Sequence, residues 1–540
     1  MAKLVGWILM VGASLAFVAK WKEFRLPAVG WGFKLGDTLE QIITGWGFFQ
    51  AYLKADWSLD ALSYLGWAFT ILTWIVGAWL VASFSGVTKF RPLTLKRMKR
   101  FREIKRGYWS LVILLVLAFL ASLDFIVVGS EALVVKYKGE WTFPAFTTDI
   151  EKGEEYGLEG ENASGPPSYR QLKKDWKKND VDGFVLMPLL RPYAPTGDSI
   201  TATTSPLRLE GDVLFKGRSR FNGYATQVYD LEEPSLRHLS YRFRNGLRDG
   251  RAEGWNLEKK RIYGATFREG KMVVGTEIYS GKSTLEEFLE KESSELVEVH
   301  FQPSPPSREH WLGTTAQGYD VVSYLYGGLQ VNFQAILVYI PFVYIIGVTI
   351  GLLMGYFGSV FDLVVQRVIE ILSNVPFLFV VMIISLGVPD NVKEDYGLWI
   401  IVGILILFGW MGMTYLMRTA ALKEKSRDYI AAARVMGAST PRILKKHLLP
   451  NSIAIVVTLI PFSISSLVLS LASLDYLGFG VPPRYATWGK LLQEGLNYLS
   501  SSPWLVVTAF FALVSLLILV TFVGEAVREA FDPKKFSYYK

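Results

Sequence analysis

The chain has no cysteine, only four histidines and little charge. The absence of cysteine excludes disulfides, thiolate zinc sites and cysteine nucleophiles. The histidines (His238, His300, His310 and His447) show no metal-ligand spacing, so no metal site is expected. Charged residues make up 20% of the 540, against 51% hydrophobic. A large soluble protein usually carries more charge. The apolar residues gather into runs of about 20, the length that crosses a bilayer.

Eight runs read as membrane spans: 4–19, 61–86, 108–129, 333–357, 363–388, 398–417, 452–474 and 504–524. The first is short, and a cleaved signal peptide is its alternative reading. Orientation comes from charge. Residues 88–107 carry Lys89, Arg91, Lys96, Arg97, Lys99, Arg100, Arg102, Lys105 and Arg106 against Glu103 alone. The positive-inside rule places that loop in the cytoplasm. Spans flank it closely, which disfavours a nucleic-acid partner. Counting onward puts 130–330 outside, 418–451 inside, 475–503 outside and the C-terminus inside. The 418–451 loop is basic as well, which agrees in parity. Three regions follow: N-terminal helices over 1–130, an extracytoplasmic (periplasmic) domain over 131–310, and a helical core over 311–535.

The outer segment is too long for a plain loop. Short aromatic strands with glycine turns make its middle β-rich. Phe243-Arg244-Asn245-Gly246 returns as Phe267-Arg268-Glu269-Gly270. The stretch of about 210–280 resembles MORN-type repeats built from hairpins. Gly281-Lys282-Ser283-Thr284 matches the end of a phosphate-binding loop. Such a loop needs four residues between its first glycine and the Gly-Lys, and Gly275 and Gly281 enclose five. Ser283 or Thr284 is better read as the cap of a following helix.

The most informative stretch is "SRDYIAAARVMGASTPRILKKHLLPN", residues 426–451. It reads as two short helices with a break. Ser426 caps the first, and Gly437 ends it where a positive φ is wanted. Thr440 caps the second, with Pro441 at its first position and Pro450 ending it. Tyr429, Ala432, Ala433 and Met436 share one face at helical spacing. Small side chains there let another surface approach the backbone. A helix resting on the membrane surface is the alternative.

This stretch resembles the EAA loop of ABC importer permeases, matched at Ala432, Ala433, Gly437, His447, Leu448, Leu449, Pro450 and Asn451. "LASLDYLGFGVPPRYATWGKLLQEG", "FVGEAVREAFDP" and "HWLGTTAQGYDVVSYLYGG" look like further signatures of the oligopeptide/dipeptide permease C-type subunits, in one collinear order over about 310–535. The segments before the core look most like the microcin/oligopeptide branch.

The resemblance implies an all-α polytopic membrane protein, a type I importer permease core with the β-rich outer domain inserted before it. It implies a bacterial inner-membrane protein that is not an enzyme. A second homologous permease subunit, two cytoplasmic ATPases and a periplasmic substrate-binding protein would be its partners. No cofactor belongs to this chain, because ATP and magnesium bind the partners. Asp428, Tyr429, Ala432, Ala433, Arg434, Met436, Gly437, Ser439, His447, Leu448, Pro450 and Asn451 would couple to the ATPases. Ser373, Asn374 and Pro376, mid-span, are pathway candidates, with Pro341 and Pro461 interrupting two further spans. Arg367 and Glu370 pair or face the pathway.

Two departures stand out. The family's acid falls at Ala431, and two outer charges of the family are Thr315 and Tyr319 here. The expected cargo is an oligopeptide or peptide-like compound, with nickel or a sugar as the alternative. A membrane-anchored receptor would explain the outer domain but not the two-helix loop. An ion-driven transporter would need midplane ionisable residues and inverted repeats.

Overall fold

A computed structural model describes residues 92–531, except 148–150, 159–164, 180, 192–201, 230–235, 282–283, 286–287, 289–295 and 308–309, together with residues 10, 11, 13, 14, 25, 75 and 78. The expected spans 4–19 and 61–86, isolated positions apart, and the Lys282-Ser283 pair lie outside the described residues. Two compact units are formed. One holds Met1–Ala194, Tyr324–Gln493 and Ala509–Lys540, and the other holds Pro195–Ser323 and Glu494–Thr508.

The first unit opens with α1 (Pro92–Glu103), the basic helix, and α2 (Lys105–Ser122), an apolar one. Ile104 leaves helical geometry between them at ψ 83°. A small sheet follows, built from β1 (Val134–Tyr137), β2 (Glu140–Thr142) and β3 (Gly183–Leu186) in the order β2-β1-β3, with α3 (Tyr169–Lys178) beside it. Its core is Val135, Leu172, Trp176 and Val185, with Trp176 stacked on Tyr137.

The second unit carries an eight-stranded sheet. Its strands are β4 (Ala202–Pro206), β8 (Gly223–Val228), β9 (Arg237–Arg244), β10 (Leu247–Trp255), β11 (Arg261–Arg268), β12 (Lys271–Met272), β13 (Ile278–Tyr279) and β14 (Val297–Phe301). The order is β12-β11-β10-β9-β8-β14-β4, with β13 paired to β11. A separate three-stranded sheet joins β5 (Arg208–Glu210), β6 (Val213–Lys216) and β7 (Ser219–Arg220). The repeated tetrapeptides are hairpin tips. Asn245-Gly246 has φ of 53° and 82°, and Glu269-Gly270 has φ of 48° and 86°. Two successive positive φ values make the tight turn whose twist matches antiparallel strands. Leu239, Tyr241, Phe243, Ala252, Tyr263 and Ala265 form the core on one face of the sheet. Thr284 sits at the start of helical residues, its carbonyl accepting the Phe288 N–H at 3.1 Å. The strand before it, β13, pairs antiparallel with β11, and among the described residues no parallel strand adjoins it.

The helical core continues the first unit. Its elements are α4 (Val321–Phe357), α5 (Ser359–Asn374), α6 (Phe377–Gly387), α7 (Asp390–Lys425), α8 (Asp428–Val435), α9 (Thr440–Ile443), α10 (Leu449–Tyr476), α11 (Trp488–Asn497) and α12 (Trp504–Phe531). Among the described residues, five helical segments are long and apolar enough to cross a membrane: Lys105–Ser122, Val321–Phe357, Tyr396–Lys425, Thr440–Tyr476 and Trp504–Phe531. The pair α5 and α6, bent by 73°, makes a sixth if it counts as one span. These six cover the expected spans from 108 onward.

Pro341 and Pro461 do not interrupt their spans, contrary to the sequence expectation. Both lie inside continuous helices, α4 and α10. A proline removes one ladder bond and strains the turn before it. Near them, Ser465 Oγ donates to the Pro461 carbonyl at 3.2 Å, and Tyr344 Oη meets Ser463 Oγ at 2.9 Å across α4 and α10.

Gly347, Gly351 and Gly355 form a stripe along α4 that lies against α7. A Cβ at Gly351 would stand 2.5 Å from the Thr414 carbonyl oxygen, and one at Gly355 2.5 Å from Ala421 Cβ. With lipid outside, helices gain little from apolar contact alone, and close backbone approach through small residues supplies the packing. The stripe therefore fixes where α7, and the loop that follows it, stands.

Candidate coupling loop

The loop begins where α7 ends. Ser426 closes α7 instead of opening α8: its Oγ donates to the Lys423 carbonyl at 2.9 Å. Arg427 takes the N-cap position with no side-chain cap bond, which corrects the assignment of Ser426. A serine one residue too early finds the free carbonyls of the preceding helix before the free N–H groups of the next. Asp428 in the first turn of α8 and Arg434 in the last both suit the helix dipole.

Gly437 ends α8 as its sequence position implies. Its φ is 76°, its N–H donates to the Arg434 carbonyl at 2.9 Å, and the Ala438 N–H reaches the Ala433 carbonyl at 3.0 Å. These two bonds make a Schellman ending. The next helix starts one residue earlier than expected, with Ser439 rather than Thr440 at the N-cap position.

Pro450 does not end the second helix. Residues Leu444–Leu448 form a π turn, and the helix runs on as α10 with Pro450 in its first turn. The wide turn gives the Leu449 N–H the Leu444 carbonyl, five residues back. That geometry admits a proline where a regular turn would clash.

Burial divides the loop into two faces. Ile430, Ala433, Ile443 and Leu448 are buried, and Ile430, Ile443 and Leu448 join the core beside Met417 and Ala421. Tyr429, Ala432, Val435 and Met436 are exposed, Val435 by 88% and Met436 by 80%. Ala433 thus faces the bundle and not a partner, which corrects its place on the outward face. Positions i and i+4 sit about 40° apart on a helix, so sequence spacing alone left the edge of that face open. Val435 was missed, although it is the most exposed large apolar residue of the loop.

Three expected site residues converge. Tyr429 Oη donates to Glu424 Oε2 at 2.5 Å and accepts from Asn451 Nδ2 at 2.8 Å. Asn451 Nδ2 also donates to the His447 carbonyl at 2.9 Å, and the His447 and Tyr429 rings lie 6.2 Å apart. Burial and the bond to Glu424 hold the Tyr429 phenol above its ordinary pKa. The cluster ties the end of α7, the start of α8 and the start of α10 together. Glu424 was not singled out from sequence. Arg434 lies over the Tyr356 ring at 5.1 Å, joined there by Lys425 at 5.9 Å. It therefore binds α8 to the end of α4, and Ala431 beside it stays exposed.

A model of the family "Binding-protein-dependent transport system inner membrane component" matches residues 347–537, which include the whole loop. An inner membrane ABC transporter permease protein, YejE, of Escherichia coli (strain K12) is 31% identical over 83% of this chain and 99% of its own length. The chain belongs to this permease family. A peptidoglycan transport system permease protein of Agrobacterium fabrum is 28% identical over 83% of the chain and 94% of its own. An oligopeptide transport system permease protein of Bacillus subtilis is 31% identical over 43% and 73%.

The protein is thus a multi-pass inner-membrane permease of the ABC class, a non-catalytic membrane subunit of a larger transporter complex. The break in its fifth and sixth helices gathers the expected pathway residues. Helix α5 stops at Asn374, and Pro376 stands at the N-cap of α6. Asn374 Nδ2 returns to the Glu370 carbonyl at 2.8 Å, and Ser373 Oγ turns inward to Met411 Sδ at 3.4 Å. Arg367 and Glu370 pair at 2.6 Å, with side chains 75% and 46% exposed. In the second unit, the two residues that replace the family's outer charges, Thr315 and Tyr319, meet. The Thr315 N–H donates to the Tyr319 carbonyl at 2.8 Å, and Thr315 Oγ1 accepts the Tyr319 N–H at 3.1 Å. His310 Nδ1 and Asp320 Oδ2 lie 2.8 Å apart, both residues buried.

Proposed function

We propose that this permease imports oligopeptides or peptide-like compounds, delivered from outside by a periplasmic binding protein and driven by two cytoplasmic ATPases docked on the 426–451 loop. A second homologous permease completes the pathway. ATP and magnesium bind the ATPases, and the C-terminus is cytoplasmic. The carrying observation is the exposed Val435–Met436 pair on a helix whose other face is locked into the bundle. An apolar pair this exposed on an anchored helix suits a protein partner. Force applied there is relayed by the Tyr429–Asn451 and Arg434–Tyr356 contacts to α10 and α4. The peptide cargo is supported by the printed names of the relatives.

The pathway runs along α5. A charged pair facing hydrocarbon is costly, so Arg367 and Glu370 face water or the second subunit. Asn374 and the Pro376 break lie on the same stretch, with Ser373 beneath them.

The test is purification of the tagged permease from membranes, with identification of copurifying chains and of bound cargo by mass spectrometry. Two ATPases and peptide cargo are expected. Copurification of neither an ATPase nor a second permease would overturn the proposal. Sidedness is checked with single cysteines at exposed Ser219 and Ser426 and an impermeant maleimide. Ser219→Cys should react in intact spheroplasts, and Ser426→Cys only after the membrane is opened.

A further inference from the structure

An open groove of about 750 Å³ lies where the ends of α2, α10 and α12 meet. Arg106, Arg528, Glu525 and Glu529 supply its charged wall, and Ala454, Ile455 and Phe531 its apolar one. Arg106 reaches Glu525 at 3.4 Å. Among the described residues Arg528 has no ion-pair partner. Arg97 of α1 stacks over the Phe531 ring at 4.6 Å, and its buried Nε has no hydrogen-bond partner. Three guanidinium groups thus stand at or beside one amphipathic groove, against the two carboxylates of Glu525 and Glu529, and leave it a net positive charge.

Depth follows from α2. Its 18 residues span about 27 Å, close to the hydrocarbon thickness, so its ends stand at the two interfaces. Arg106 is the second of those residues. Trp109, 59% exposed, lies one turn on, as interfacial aromatic side chains do. Gly107 packs against Ala526, so close that a Cβ would lie 2.1 Å from that methyl, which fixes α2 to α12 at this level. The groove therefore opens at headgroup depth, on the side with the basic helix α1.

We propose that this groove binds the headgroup of an anionic phospholipid. Arg97, Arg106 and Arg528 would hold the phosphodiester, and Ile455 and Phe531 would carry the first carbons of the acyl chains. A net positive charge between spans at the interface is the arrangement that favours anionic headgroups. The site is separate from the coupling loop and does not depend on which cargo is carried.

Native mass spectrometry of the purified transporter tests this, with phosphatidylglycerol or phosphatidylcholine added at equal concentration. The wild type should retain phosphatidylglycerol at least about fivefold better, the ratio that one interfacial arginine supplies. Combined Arg97→Gln and Arg528→Gln should remove the preference, and combined Arg97→Lys and Arg528→Lys should keep most of it. Arg242→Gln with Arg244→Gln, on the sheet of the second unit, should change nothing. Equal retention of both lipids by the wild type overturns the proposal, as does full retention by the glutamine pair. Displacement by inorganic phosphate would mark a free-phosphate site and overturn the lipid assignment. If the glutamine pair fails to assemble, the wild-type comparison decides.

Discussion

Arg418 and Asp362 are joined by two hydrogen bonds, Nε to Oδ1 at 2.5 Å and Nη2 to Oδ2 at 2.6 Å. The pair links the first turn of α5 to α7, two turns before the coupling loop begins. One end therefore touches the helix that carries the pathway break, and the other the helix that leads into α8. The planar fork of arginine matches a carboxylate and fixes an angle as well as a distance.

Arg418→Ala should leave Asp362 partly buried without its partner. The expected loss is roughly 3 kcal/mol, the scale for breaking a buried pair. The melting temperature of the detergent-solubilised transporter should fall, and Arg418→Lys should recover only part of it. An unchanged melting temperature for the alanine variant would remove the pair from the bundle's support.

Gly351→Val tests the close approach of α4 and α7. The added side chain meets the backbone at Thr414, which cannot rotate away. Overpacking of this kind costs about 1–3 kcal/mol. The variant should insert but melt lower, while Gly412→Val, where a Cβ meets nothing within 4 Å, should be mild. Equal stability of the two variants would refute the stripe as the packing seam.

Much of this was legible in the sequence and some was not. The Gly437 turn could be read because a positive φ at a helix end has a residue preference of its own. The outer hairpins were announced by Asn245-Gly246 and Glu269-Gly270 for the same reason. The caps expected at Ser426 and Thr440 each fall one residue off, at Arg427 and Ser439. Ser426 finds the Lys423 carbonyl of the preceding helix, and neither observed cap makes a side-chain bond that spacing could mark. Pro450 was misread because a π turn leaves no sequence mark. The Gly347, Gly351 and Gly355 spacing was visible and was passed over. Arg418 with Asp362, 56 positions apart, and Arg434 with Tyr356 depend on tertiary packing that no local pattern encodes.

Glu298 supplies a pH dependence for the inserted sheet. Burial raises its pKa, but hydrogen bonds from His300 and Lys216 outweigh that and leave it below the ordinary value of 4.5. Lys216 Nζ lies 2.5 Å from its carboxylate. A depressed folded pKa gives stability that is present above the unfolded value and lost as pH falls below it. The wild type should lose melting temperature between about pH 5 and pH 3, and Glu298→Gln should lose less over that range. Parallel profiles would contradict the assignment.

The central claim is that α8 presents Val435 and Met436 to an ATPase. The direct measurement is a quantitative pull-down of ATPase subunits with Val435→Asp combined with Met436→Asp. Both side chains are exposed, so the permease should insert and melt as the wild type does. Losing an interface anchor commonly costs 2 kcal/mol or more, so recovery of the ATPases should fall by at least about tenfold. Recovery at the wild-type level, with the double variant confirmed in the membrane, would contradict the account.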